Sequence, residues 1–184
     1  MRKALRLLGL LSDSDIDWMC TQGTVRHIPA GTVLISERKA INALYIVLEG
    51  QLRVMVGGLN GKHVANLLAG EIVGEISLVD DHLPSASVIA VQVSQVLALD
   101  HEKIRGKLAR DQGFASRLYH SIATFLADRL YVTVTRFGYG SESQDVNTDE
   151  IPEASFDQMD LAAVRFDKML KRLHESHTLV GAGV

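Results

Sequence analysis

Cysteine is almost missing. Cys20 is the only one in 184 residues, which excludes an internal disulfide framework and any zinc site built from cysteines. Aromatic residues reach only 5% of the chain, too few for the stacking platforms of a single-stranded nucleic-acid binder, so Trp18 and Tyr45 are read as packing residues. Neither sign of charge dominates: 19 Lys and Arg stand against 22 Asp and Glu, for a net charge of -3, which argues against a general nucleic-acid-binding surface. No apolar run is long enough to span a bilayer, and the first eleven residues lack a small-residue cleavage site before the aspartates of Ser12 to Asp17. What remains is 47% hydrophobic and 22% charged, the balance of a soluble, cytoplasmic globular chain with room for one domain and an appendage.

A short helix is expected over Ser12 to Met19, capped by Ser12 and acidic in its first turn. Short β-branched runs follow at Val25 to Ile28, Val33 to Ser36, Leu44 to Leu48, Leu52 to Val56, His63 to Leu68 and Ser87 to Leu99, separated by Gly and Pro. This cadence points to a sandwich or barrel, with one clear hairpin at Leu52 to Leu68 around Asn60-Gly61. From about His101 to Phe137 the period becomes helical. Tyr131 to Thr135, rich in β-branched residues, leaves the end of that helix open. The segment 139–153 reads as a polar linker, 154–177 as an amphipathic helix opened by a Ser155/Gln158 capping box, and 178–184 as a tail. Phe156, Met159, Ala163, Phe166, Leu170 and Leu173 form a heptad-like seam that needs a partner, the protein's own core or a second subunit before a foreign protein. Arg165, Lys168, Lys171 and Arg172 lie off that seam and read as a solvated face. His174 and His177 near the end of this helix read as a solvated terminus and not as metal ligands.

The stretch from Gly70 to Ala90, GEIVGEISLVDDHLPSASVIA, has the grammar of an anion cradle: a glycine opens a short helix at Gly74 to Val79, and a carboxylate, Glu75, stands beside it. Yet the stretch contains no Arg or Lys, and Glu71, Glu75, Asp80 and Asp81 make it acidic, with His82 the only group that can turn cationic near neutral pH.

Together with Pro29 to Leu34 and Leu44 to Val54, this stretch resembles the cyclic-nucleotide-binding domain found in the bacterial catabolite activator and in regulatory subunits of cyclic-AMP-dependent kinase. The resemblance covers roughly Leu8 to Gly138. It implies a mainly β fold with flanking helices: an eight-stranded β-roll of jelly-roll type over residues 1–112, then a long helix over 113–138 that forms a dimer contact or a lid. It implies that Glu75 takes the ribose 2′-hydroxyl, that Val73, Gly74, Ile76 and Ser77 line the sugar-phosphate pocket with Ala86, that Ser85 is the hydroxyl beside the phosphate, and that Thr133 reaches the purine. The departure is at Pro84, or at Ser85 if the register slides by one, where the family carries its phosphate arginine. Arg129 and Arg136 of the long helix are the candidates for a replacement cation, and Asp80 and Asp81 would repel a phosphate unless they point outward.

Two functions follow from this pattern. The first is a non-enzymatic, homodimeric ligand sensor with weakened or altered recognition of a cyclic nucleotide, reporting to a protein partner through the last helix. The second is a degenerate domain that binds no nucleotide and serves as a dimerisation or docking adaptor. No Ser, Cys or carboxylate forms a recognisable nucleophile–base set, and the single linker and helix that follow Gly138 leave no room for a helix-turn-helix, so neither catalysis nor sequence-specific DNA binding is expected.

Overall fold

The computed structural model describes residues 6–57, 61–138 and 156–181. Eight strands form two four-stranded antiparallel sheets: β1 (Thr24–Ile28), β2 (Val33–Ile35), β3 (Ala43–Glu49), β4 (Gln51–Val56), β5 (Lys62–Leu68), β6 (Ile72–Val73), β7 (Ser87–Ala90) and β8 (Ser94–Asp100). One sheet has the order β1-β8-β3-β6 and the other β2-β7-β4-β5. Among the described residues six helices accompany them: α1 (Arg6–Leu10), α2 (Asp13–Gln22), α3 (Glu75–Asp80), α4 (His101–Arg110), α5 (Gln112–Gly138) and α6 (Phe156–Gly181). This is the expected β-roll with flanking helices and a long helix after it. The expected hairpin is β4–β5, with its loop residues 58–60 outside the described residues.

β3 explains how the layers assemble. Ala43 to Leu48 are all buried because the strand is covered on both faces. Ala43, Tyr45 and Val47 pack with Leu52, Leu67, Val88 and Val96 in one apolar cluster. Leu44, Ile46 and Leu48 belong to a second cluster with Ile16 and Met19 of α2, Phe114 and Leu118 of α5, and Met169 and Leu173 of α6. Alternation along one strand therefore feeds two cores.

The sequence reading needs four amendments. The run Ser87 to Leu99 is two strands, because residues 91–93 turn the chain from one sheet to the other. The helix expected as one piece from His101 breaks at Asp111, whose carboxylate accepts from the Phe114 amide at 2.8 Å. Thus α5 starts afresh and continues through the β-branched stretch to Gly138. The seam of α6 is shifted: Ala162, Met169 and Leu173 are buried, Phe166 and Leu170 half-buried, and Ala163 is exposed, while the side chains of Phe156 and Met159 lie outside the described residues. Finally, the cations of α6 are not simply solvated. Arg165 and Lys168 bond Asp13 at 3.0 and 3.2 Å, and Arg172 pairs with Asp17. Only Lys171, bonded to Asp167 within its own helix, matches the expectation of a solvated face. The partner that the seam sought is the protein's own α1 and α2.

Ser12 caps α2 as expected. Its Oγ accepts from the Asp15 amide at 3.3 Å and the Asp15 carboxylate accepts from the Ser12 amide at 2.8 Å. Asp15 is almost wholly buried and also accepts two bonds from Arg117, at 2.7 and 3.1 Å, fastening α2 to α5. Burial pushes the Asp15 carboxyl up, but Arg117 and Ser12 together outweigh it and hold the group below the usual carboxylate range.

Candidate functional site

The cassette begins where β6 ends. Gly74 adopts φ +95°, and a Cβ there would stand 2.7 Å from the Ala43 carbonyl oxygen, so only glycine lets the chain turn this close to β3. The turn starts α3 and sends the side chain of the next residue, Glu75, inward, where it is 2% exposed.

Glu75 meets Arg129 of α5 there. The guanidinium Nη1 donates to the Glu75 Oε1 at 2.9 Å and the guanidinium also lies 4.7 Å from the centre of the Phe125 ring. Burial raises the Glu75 carboxyl above its ordinary value, with Arg129 pulling it back. Glu71, whose carboxylate accepts from the Leu68 amide at 2.6 Å, is raised for the same first reason.

Around this pair lies a cleft of about 100 Å³. Val73, Gly74, Glu75, Ile76, Ser77, Pro84, Ser85 and Ala86, all named from the sequence, line it together. Thr133 lies on α5, but its side chain is outside the described residues, as is that of Arg136. Five further lining residues come from elsewhere: Ile35 from β2, Ile41 from the β2–β3 loop, Val54 from β4, Val88 from β7, and Arg129. Of these the sequence singled out only Arg129, as a candidate cation. The other four are strand or loop apolar residues whose common wall is made by sheet pairing, and nothing local marks them.

The charges of this wall cancel. Glu75 and Arg129 neutralise each other, and no other described lining residue is charged. Asp80 and Asp81 turn outward: Asp80 lies 2.6 Å from His82 Nδ1, Asp81 pairs with Arg105, and both are exposed. Ser77 spends its hydroxyl on the His82 carbonyl at 2.7 Å, fixing the chain after α3. At the opposite rim the Arg38 amide donates to the Pro84 carbonyl at 2.8 Å and the Glu37 amide donates to Ser87 Oγ at 3.0 Å, so the β2–β3 loop is stitched to the end of the cassette.

An eight-stranded antiparallel roll with a glycine-opened short helix, a buried glutamate and a long helix closing over them defines a class, and comparison with known families agrees. Residues 25–111 match the model of the cyclic nucleotide-binding domain. Among individual relatives, the cyclic AMP receptor protein of Thermus thermophilus is 31% identical over 122 residues, covering 65% of this chain and 55% of that protein. The cAMP-activated global transcriptional regulator CRP of Salmonella typhimurium is 24% identical over 130 residues, or 69% of this chain and 60% of its own. The Pycsar effector protein XpPycTIR of Xanthomonas perforans is 26% identical over 115 residues, 62% of this chain and 37% of its own. The chain thus spans little more than half the length of the first of these, and less of the last. Two solved structures share the fold: a cyclic nucleotide-binding domain from Methylobacillus flagellatus, with a TM-score of 0.67, 19% identity and coverage of 78% of this chain and 85% of that one, and the Thermus thermophilus catabolite activator protein, with 0.59, 23%, 94% and 88%. Among the described residues no helix is long and apolar enough to cross a membrane.

Proposed function

We propose that this chain is a non-enzymatic regulatory module whose β-roll cleft senses a cyclic nucleotide, and that its recognition departs from the family pattern because Pro84 stands where the phosphate arginine is expected. The single observation that carries the reading is the buried Glu75–Arg129 bond. Glu75 sits on the cassette and Arg129 on the long helix, so a ribose hydroxyl competing for the Glu75 carboxylate changes what holds α5. The cleft of about 100 Å³ is smaller than the ~300–1,000 Å³ of ordinary ligand sites. A whole nucleotide therefore enters only if Arg129 or α5 gives way, which makes binding and helix position one equilibrium. The relatives named for cyclic AMP support the same class of ligand.

Isothermal calorimetry with cyclic AMP and cyclic GMP tests this. Heat of binding to at least one is expected, with affinity lowered about ten-fold or more in Glu75→Ala. The small cleft also favours a second reading, an adaptor that binds no nucleotide. Silence with both ligands and with cyclic dinucleotides selects it.

A further inference from the structure

The proposed site has an anionic ligand and a wall without net charge, so a cation must come from outside the wall. We propose that Arg38, at the apex of the β2–β3 loop, is that cation, and that the guanidinium missing from the cassette has been relocated to this loop. This inference rests on the cyclic-nucleotide reading above.

Position is the first argument. Ile35 and Ile41, on either side of the loop, both line the cleft, and so does Pro84, to which the loop is bonded. Arg38 is the one whose backbone amide bonds to the Pro84 carbonyl, at 2.8 Å. Its long side chain therefore springs from a point one hydrogen bond away from the residue that replaces the family's arginine. Lys39 follows, but its amide bonds back to Ser36, away from the cassette.

Conformation is the second. Arg38 has φ +59°, in the left-handed region where a non-glycine side chain is uncommon, and this backbone is held by the Pro84 bond on one side and by Glu37 on the other. Glu37 is itself anchored twice, its amide to Ser87 Oγ and its carboxylate to the Gly57 amide at 2.9 Å. A glycine would suit this backbone at no cost, so an arginine here points to use of its side chain.

Availability is the third. Arg38 is exposed, and among the described residues it makes no ion pair, whereas Arg105, Arg117, Arg129, Arg165 and Arg172 are all engaged with carboxylates. Arg129 cannot serve as the anchor without abandoning Glu75, which would leave that carboxylate buried beside an incoming phosphate of the same sign. Arg38 can fold over the rim and donate to a phosphate oxygen while Glu75 exchanges Arg129 for the ribose.

The test uses calorimetry of the whole chain with cyclic AMP and cyclic GMP, beside the neutral nucleosides adenosine and guanosine. Arg38→Ala is expected to weaken cyclic-nucleotide binding about ten- to hundred-fold while leaving any nucleoside binding unchanged. Arg38→Gly, which fits the left-handed backbone, should lose as much, and adding Pro84→Arg to Arg38→Ala should recover most of the affinity. Unaltered cyclic-nucleotide binding in both Arg38 variants overturns the inference and leaves the sensor reading intact. A loss in Arg38→Ala that Arg38→Gly does not share also overturns it, because backbone fit and not charge would then be the cause. Silence of the unsubstituted protein with every ligand removes the sensor reading, and the inference with it.

Discussion

His101 opens α4 with its ring buried at 4% exposure, and its Nε2 has no hydrogen-bond partner among the described residues. Burial lowers its pKa, and Arg105 one turn further on adds to the effect, against the opposing pull of Asp100, the Ala43 contact and Asp81. The sign of the consequence is definite. Above the unfolded value of about 6.5 both states hold a neutral ring, but below it the unfolded chain takes up the proton first, so stability falls as the pH drops toward the lower folded value. The urea midpoint should therefore decrease between about pH 7.5 and pH 5.5, and His101→Leu should flatten that slope. An unchanged slope in the variant would assign the dependence to other groups. Nothing in the sequence distinguished this histidine from the other six, because what sets it apart is the packing above it.

At the scale of the element, α6 shows how a pattern can be right in the main and shifted in detail. Phe166, Leu170 and Leu173 pack on the core as read, but Ala162 and Met169 carry the most buried part of the seam and Ala163 lies outside. The cations decide the register. Arg165 donates to the carbonyls of Leu8 and Gly9 at 3.4 and 2.8 Å as well as to Asp13, so it satisfies the carbonyl end of α1 while pairing with the start of α2. Its side chain is only 14% exposed, whereas that of Lys168 is 42% exposed and its partner Asp13 is more exposed still. Arg165→Ala is expected to lower stability by about 2 kcal/mol, mostly through the orphaned carbonyls, and Lys168→Ala by well under about 1 kcal/mol. Denaturant titration of the two variants separates these costs. Equal losses would mean that the ion pairs with Asp13, and not the α1 carbonyls, carry the contact. Cys20, half-buried beneath α6 with its sulfur 4.0 Å from the Met169 carbonyl and its thiol pushed up to about 11 by burial, gives a second readout. Loosening α6 should speed its reaction with a thiol reagent.

For the molecule as a whole, the long helix bears on assembly. Leu130, Tyr131 and Val134 are 64%, 65% and 57% exposed on α5, a strip of apolar surface that a single chain leaves in water. We propose a homodimer built on this strip, which would join two clefts through the helix that Arg129 ties to Glu75. Light scattering should give twice the chain mass of 20.1 kDa, and Tyr131→Asp should bring it to one chain. A monomer in the unsubstituted protein would sink the dimer and leave the cleft untouched. Ligand-dependent change in Cys20 reactivity would meanwhile show whether the helical layer feels the cleft.

Sequence alone determined what depends on neighbours along the chain. The Ser12 cap, the uninterrupted apolar run of β3, the glycine that opens the short helix at Gly74 and the Glu75 beside it were legible because period, turn chemistry and side-chain size act over a few residues. It also showed that the cassette holds no Arg or Lys. Which distant cations come near the cassette was decided by tertiary structure. Arg129 reaches Glu75 across 54 positions, and Arg38 is brought to Pro84 only because β2 and β4 pair with β7 in one sheet. The choice of α1 and α2 as the seat of α6 was settled in the same way, by which carboxylates and carbonyls folding laid within reach. Electrostatic and apolar contacts between distant segments depend on distance in space, and a one-dimensional pattern carries distance only along the chain.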